Sequence, residues 1–118
     1  MEIKIPGIDT EYALDLCDGD VNIYLRILHS YVSDMTANLE KIQTVTAETL
    51  KDYAVTIHGI KSISDAVGAQ TARNTAKQLE DIAKSGDLDG VIAKNSAFLN
   101  YAENLMAGLK FWLETNSN

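Results

Sequence analysis

Cysteine, proline, histidine and basic residues are all scarce in this sequence, and each shortage narrows what the chain can do. Cys17 is the single cysteine. It can form neither an internal disulfide nor a cysteine-ligated metal cluster, and its apolar surroundings predict a buried, inert thiol. His29 and His58 are the two histidines, too few to suggest a zinc site. Lys and Arg number 10 against 17 Asp and Glu, a formal net charge of −7. That balance argues against nucleic acid as a partner, because its binders need a basic surface to displace counterions. An anionic membrane surface is disfavoured for the same reason. Apolar runs extend only a few residues, so no segment is expected to span a membrane. The opening MEIKIPGID lacks the basic, apolar and small-residue succession of a signal peptide, which makes the cytoplasm the expected location. The one proline, Pro6, precedes every helical pattern, and the alternating runs typical of strands are missing.

What is present reads as helix. With 46% hydrophobic and 23% charged residues, the 118-residue chain suits a single globular domain over residues 1–118. Asp9 can cap a short first helix that places Ala13, Leu16 and Cys17 on one side. DGD at 18–20 breaks it, and Asp20 is the next N-cap. The second helix should run to about Thr44, with Leu25, Leu28, Val32, Met35, Leu39 and Ile42 as its apolar stripe. The third should begin after Thr46 and run to about Val67, with Leu50, Tyr53, Ala54, Ile57, Ile60, Ser64 and Val67 on one face. Gly68 suits the left-handed position that ends a helix. The fourth spans roughly 69–85 with Ala72, Ala76, Leu79, Ile82 and Ala83, closed by Gly86, and Asp87 can cap the next. The last, roughly 88–114, repeats Val91, Phe98, Leu105 and Trp112 every seven residues, with Ala102 and Leu109 beside them. Four long amphipathic helices with short breaks imply an all-α, antiparallel up-down-up-down four-helix bundle preceded by a short N-terminal helix.

Within the third helix the stretch IHGIKSISDAVGA, residues 57–69, holds a histidine that the core does not need. Successive helical residues turn by about 100°. His58 therefore falls about 130° from the centre of the apolar face, on the outer side with Ser62 and Asp65. Lys61 lies on the flank, where its long stem can carry the ammonium outward. His29 also falls outside its stripe, but only His58 has a lysine one turn on. A neutral imidazole offers a nucleophilic nitrogen. A phosphoryl group on it would bring about two negative charges, which Lys61 could partly neutralise. A hydrolase would need a base, an orienting partner and an oxyanion site. Asp65 lies about 10 Å along the axis from His58, too far to orient it. There is no G-x-S-x-G, no H-E-x-x-H and no glycine-rich phosphate loop.

His58, Lys61, Ser62, Ser64, Val67 and Gly68, together with PGIDTEYAL at 6–14, GDVNIYLRILHSYV at 19–32 and QLEDIAKSGD at 78–87, make the chain resemble the histidine-containing phosphotransfer (HPt) domain family over most of its length. The resemblance implies a four-helix bundle that accepts a phosphoryl group on His58 from a receiver-domain aspartate and passes it to another receiver. Lys61 would be the charge partner, and Val55, Gly59, Ser62 and Asp65 would contact the docked partner. Partners would be receiver domains of response regulators or hybrid sensor kinases. Mg²⁺ would belong to the receiver, so no cofactor is expected in this chain, which would act as a monomeric carrier and not as an enzyme. Ser62 stands where the family usually has glycine, and Ile57 where it often has alanine. A hydroxymethyl group at 62 would either crowd a receiver or hydrogen-bond the phosphoryl oxygens. Two other roles remain open: a module that binds a receiver or another helical partner without phosphotransfer, and the phospho-accepting domain of a histidine kinase.

Overall fold

A computed structural model describes residues 3–116. Among them are five α-helices and no strand: α1 (Thr10–Leu16), α2 (Val21–Lys41), α3 (Leu50–Val67), α4 (Gln70–Lys84) and α5 (Leu88–Asn116). Three of them, α1, α2 and α5, start from acidic caps. The Asp9 side chain accepts the Tyr12 amide at the head of α1. Asp20 accepts the Ile23 amide at the head of α2, and Asp87 accepts the Gly90 amide where α5 begins. Each satisfies an amide that the first helical turn leaves without a partner.

Around the molecule α2 packs on α3, α3 on α4, α4 on α5, and α5 back on α2, while α1 lies against α2 and α3. One hydrophobic core fills the space between them. The molecule measures 47 × 24 × 18 Å. The 29 residues of α5 extend about 43 Å at 1.5 Å each, so this helix runs most of the long dimension. No helix among the described residues is long and apolar enough to cross a membrane.

The turn between α3 and α4 is the tightest. Gly68 has φ +84 and ends α3 in the left-handed conformation. Its carbonyl accepts the Asp9 amide at 2.8 Å, and a Cβ at this position would run into the Asp9 carbonyl. Both its φ and this close approach require glycine. Directly after it, Ala72 and Ala76 on α4 are fully buried. Small side chains let the axes of α3 and α4 approach, and these two helices share the most extensive contact in the molecule.

The observed core departs from the expected stripes in four places, the first on α1, where Ala13 and Cys17 are buried but Leu16 is exposed. On α2, Tyr24 and Tyr31 are buried, whereas Leu25 and Val32 are half-buried. The phenols turn this face toward α3, because Tyr24 donates to the Val67 carbonyl at 3.0 Å and Tyr31 shares a 2.8 Å hydrogen bond with Ser64. On α5, Val91, Phe98, Ala102 and Leu109 are buried as expected, but Leu105 and Trp112 are only half-buried, and Met106 and Leu113 are buried in their place. A straight helix drifts by about 20° per heptad against a strict seven-residue repeat, so a seven-residue reading slides off the core by the third turn of the pattern. Finally, α2 ends at Lys41, short of Thr44. Ile42 is still buried, but its carbonyl accepts the buried Asn95 amide, which in turn accepts from Tyr53. Thr46 and Thr49 then pair through their hydroxyls and amides ahead of α3.

Candidate functional site

On α3, Ile57, Ile60, Ser64 and Val67 are fully buried. A residue next to Ile57 must therefore emerge about 100° around the helix. His58 does so, with its side chain 56% exposed. Cys17, in contrast, is buried.

His58 is not a solvated side chain that happens to face outward. Its Nδ1 lies 2.6 Å from Oε2 of Glu80, on α4. Lys61 donates to the other oxygen, Oε1, at 2.8 Å. Lys84, one turn after Glu80, donates to Oε2 at 3.0 Å. The Glu80 side chain is only 2% exposed, so its carboxylate sits at the bottom of the α3–α4 crevice under three donors. The Lys61 ammonium, followed by those of Lys84 and the His58 hydrogen bond, holds the Glu80 carboxyl down to about 2, against the opposing effect of its burial. It is ionised at neutral pH.

An ionised carboxylate only accepts hydrogen bonds. The proton shared with His58 therefore belongs to Nδ1, and this assignment fixes the tautomer. In the neutral ring the lone pair is then on Nε2, the nitrogen away from Glu80. Two ammonium groups face one carboxylate, so with a neutral imidazole the cluster carries one net positive charge.

Glu80 is the residue that reading along α3 alone does not find. Asp65, the acid on the same outer face of α3, does not reach His58. It is engaged elsewhere: its Oδ1 accepts from the Tyr12 hydroxyl at 3.0 Å and from Arg73 Nη1 at 2.9 Å. Tyr12 is raised above its ordinary value, chiefly by that hydrogen bond to Asp65. A sequence signal for Glu80 does exist. It follows Leu79 and lies about 70° from the centre of the Ala72–Ala76–Leu79–Ala83 stripe, within the arc that faces α3. A carboxylate there requires a cationic or hydrogen-bonding partner across the interface.

The other expected site residues are distributed around the ring. Val55, one turn before His58, is 74% exposed, a large apolar side chain with no packing role. Gly59 is half-buried, and a Cβ on it would meet nothing within 4 Å. Ser62 is exposed, and its hydroxyl turns back to donate to the His58 carbonyl at 3.2 Å. Lys61 does not reach outward as its stem length allowed. Its side chain is 25% exposed and folds across to α4. Lys61, Ser62, Asp65, Arg73, Asn74 and Lys77 line a polar groove of about 510 Å³ beside the histidine. His29 is exposed on α2, away from this crevice. No group of three or more His, Cys, Asp or Glu side chains among the described residues could hold a metal ion.

Compared with protein-family models, curated proteins and solved structures, the chain matches none.

Proposed function

We propose that this chain is a histidine phosphotransfer protein of a two-component phosphorelay, an HPt domain with the antiparallel up-down-up-down arrangement of α2 to α5. It takes a phosphoryl group on His58 from the aspartate of a receiver domain and hands it to another receiver. The observation that carries this reading is the orientation of His58. Its Nδ1 is anchored to a buried, ionised Glu80, which leaves the lone pair on the outward Nε2. The closed ring of helix contacts supports the bundle arrangement.

The chemistry follows from charge and access. A phosphoryl group brings about two negative charges, and Lys61 and Lys84 stand beside the ring to offset them. Gly59 and the folded-back Ser62 keep the surface next to His58 low, and Val55 offers a partner an apolar contact. His58 lies on an open helix face with no enclosing wall. A partner that brings the acyl phosphate, and the Mg²⁺ that such a transfer uses, can complete the active site there.

The test is a transfer assay with a phosphorylated receiver domain and Mg²⁺. Wild type and His29→Gln should acquire acid-labile label, and His58→Gln should acquire none. Label that persists in His58→Gln and disappears in His29→Gln would overturn the assignment.

A further inference from the structure

The transfer that the phosphorelay reading requires moves one PO₃ unit. The lone pair of His58 Nε2 forms the N–P bond as the O–P bond of the partner's acyl phosphate breaks, and the partner's carboxylate leaves with that electron pair. Nε2 holds no proton, so none departs at that atom. The ring is then substituted at both nitrogens, hydrogen on Nδ1 and phosphorus on Nε2, and carries a positive charge. In water such a ring can shed the Nδ1 proton and become neutral.

That loss would matter for the next step. Onward transfer breaks the N–P bond and returns the electron pair to Nε2. With hydrogen on Nδ1 the departing group is neutral imidazole. Without it the departing group is imidazolate, a much stronger base and a much poorer leaving group.

We infer that Glu80 is the positioning residue that keeps the proton on Nδ1 of phosphorylated His58, so that the ring leaves phosphorus as neutral imidazole; this deepens, and rests on, the phosphorelay reading. The geometry is specific to that task. The Nδ1···Oε2 distance of 2.6 Å is that of a short charge-assisted hydrogen bond. The Glu80 side chain is 2% exposed, so the oxygen that accepts the proton is shielded from water. Accepting a PO₃ unit with one negative charge takes the cluster of His58, Glu80, Lys61 and Lys84 from one net positive charge to neutrality. No proton has to leave to balance it.

The groups that face Glu80 come from two helices. From α3 these are His58 and Lys61, and from α4 it is Lys84. Lys77 and Asp81 pair with each other on the outer side of α4. Asp65 is held by Tyr12 and Arg73 further along α3. Among the described residues, α5 and α2 bring no ion-pair partner to Glu80. The two lysines alone would favour loss of the Nδ1 proton, and the carboxylate and the phosphoryl group oppose it.

The experiment uses phosphoramidate, a small phosphoryl donor to imidazoles, on wild type and on Glu80→Gln. Phosphate release from the labelled proteins is then followed from about pH 6 to pH 9. Wild type should change by less than about threefold. The glutamine variant should slow toward roughly tenfold per pH unit above the pKa of its phosphorylated ring. Parallel profiles would overturn the inference and leave the carrier reading intact. A wild type that takes no label on His58 would overturn both. Should Glu80→Gln fold poorly, ¹⁵N spectra of phosphorylated wild type decide alone: Nδ1 should stay protonated to about pH 9, and deprotonation near neutrality would contradict the inference.

Discussion

At the scale of single residues, the site turns on a carboxylate where helix periodicity would place apolar packing. Glu80 is buried, yet three donors offset its desolvation. The pH dependence of stability should report this. Its carboxyl is depressed from an ordinary value of 4.5 to about 2. A depressed carboxyl contributes stability that is fully present above the ordinary value and is lost as pH falls through the folded one. Its loss corresponds to about 3 kcal/mol. Glu80→Gln does not titrate, so urea unfolding should show the gap between the two proteins narrowing by about that amount as pH falls from about 5 to 2. A gap that stays constant with pH would mean that the carboxylate is not held as described. His58 itself was legible from the sequence, because its direction depends only on the helical turn. Its partner was not, because a cross-helix contact depends on how closely α4 approaches α3. That approach is set by Ala72 and Ala76, which are legible as small residues but not as a distance.

At the scale of elements, α3 contains two glycines with opposite reasons to exist. Gly68 terminates the helix at φ +84 against the Asp9 carbonyl. Gly59 stands mid-helix with open space where a side chain would be. Thermal or urea unfolding should separate them. Gly68→Ala should lose about 2–4 kcal/mol, from left-handed strain and the displaced Asp9 segment. Gly59→Ala should gain up to about 1 kcal/mol, because alanine is the better helix former and meets no neighbour. Equal effects of the two substitutions would contradict this account of the turn. Helix existence was legible throughout, from caps at Asp9, Asp20 and Asp87 and from the Gly68 stop. The finer register was not. Tyr24 and Tyr31 rotate the α2 face because their hydroxyls find acceptors on α3, and a stripe of leucine and valine carries no trace of that. The heptad on α5 loses the core by Trp112 because helical period and repeat length differ.

At the scale of the whole molecule, charge is divided unevenly. Residues 50–84, which include α3 and α4, hold five cations (Lys51, Lys61, Arg73, Lys77, Lys84) and four anions (Asp52, Asp65, Glu80, Asp81). The rest of the chain has 5 Lys or Arg against 13 Asp or Glu. An anionic partner therefore meets its least repulsion on the side that displays His58. This imbalance is legible in the sequence once the helices are placed, though the net charge of −7 conceals it. The proposed function requires that a visitor reach one atom, and a tautomer fixed from beneath decides which atom that is. The most direct test is ³¹P–¹⁵N correlation spectroscopy on the protein phosphorylated by a receiver domain. The account predicts coupling between phosphorus and Nε2 of His58, with hydrogen still on Nδ1. Phosphorus on Nδ1, or on any other residue, would contradict it.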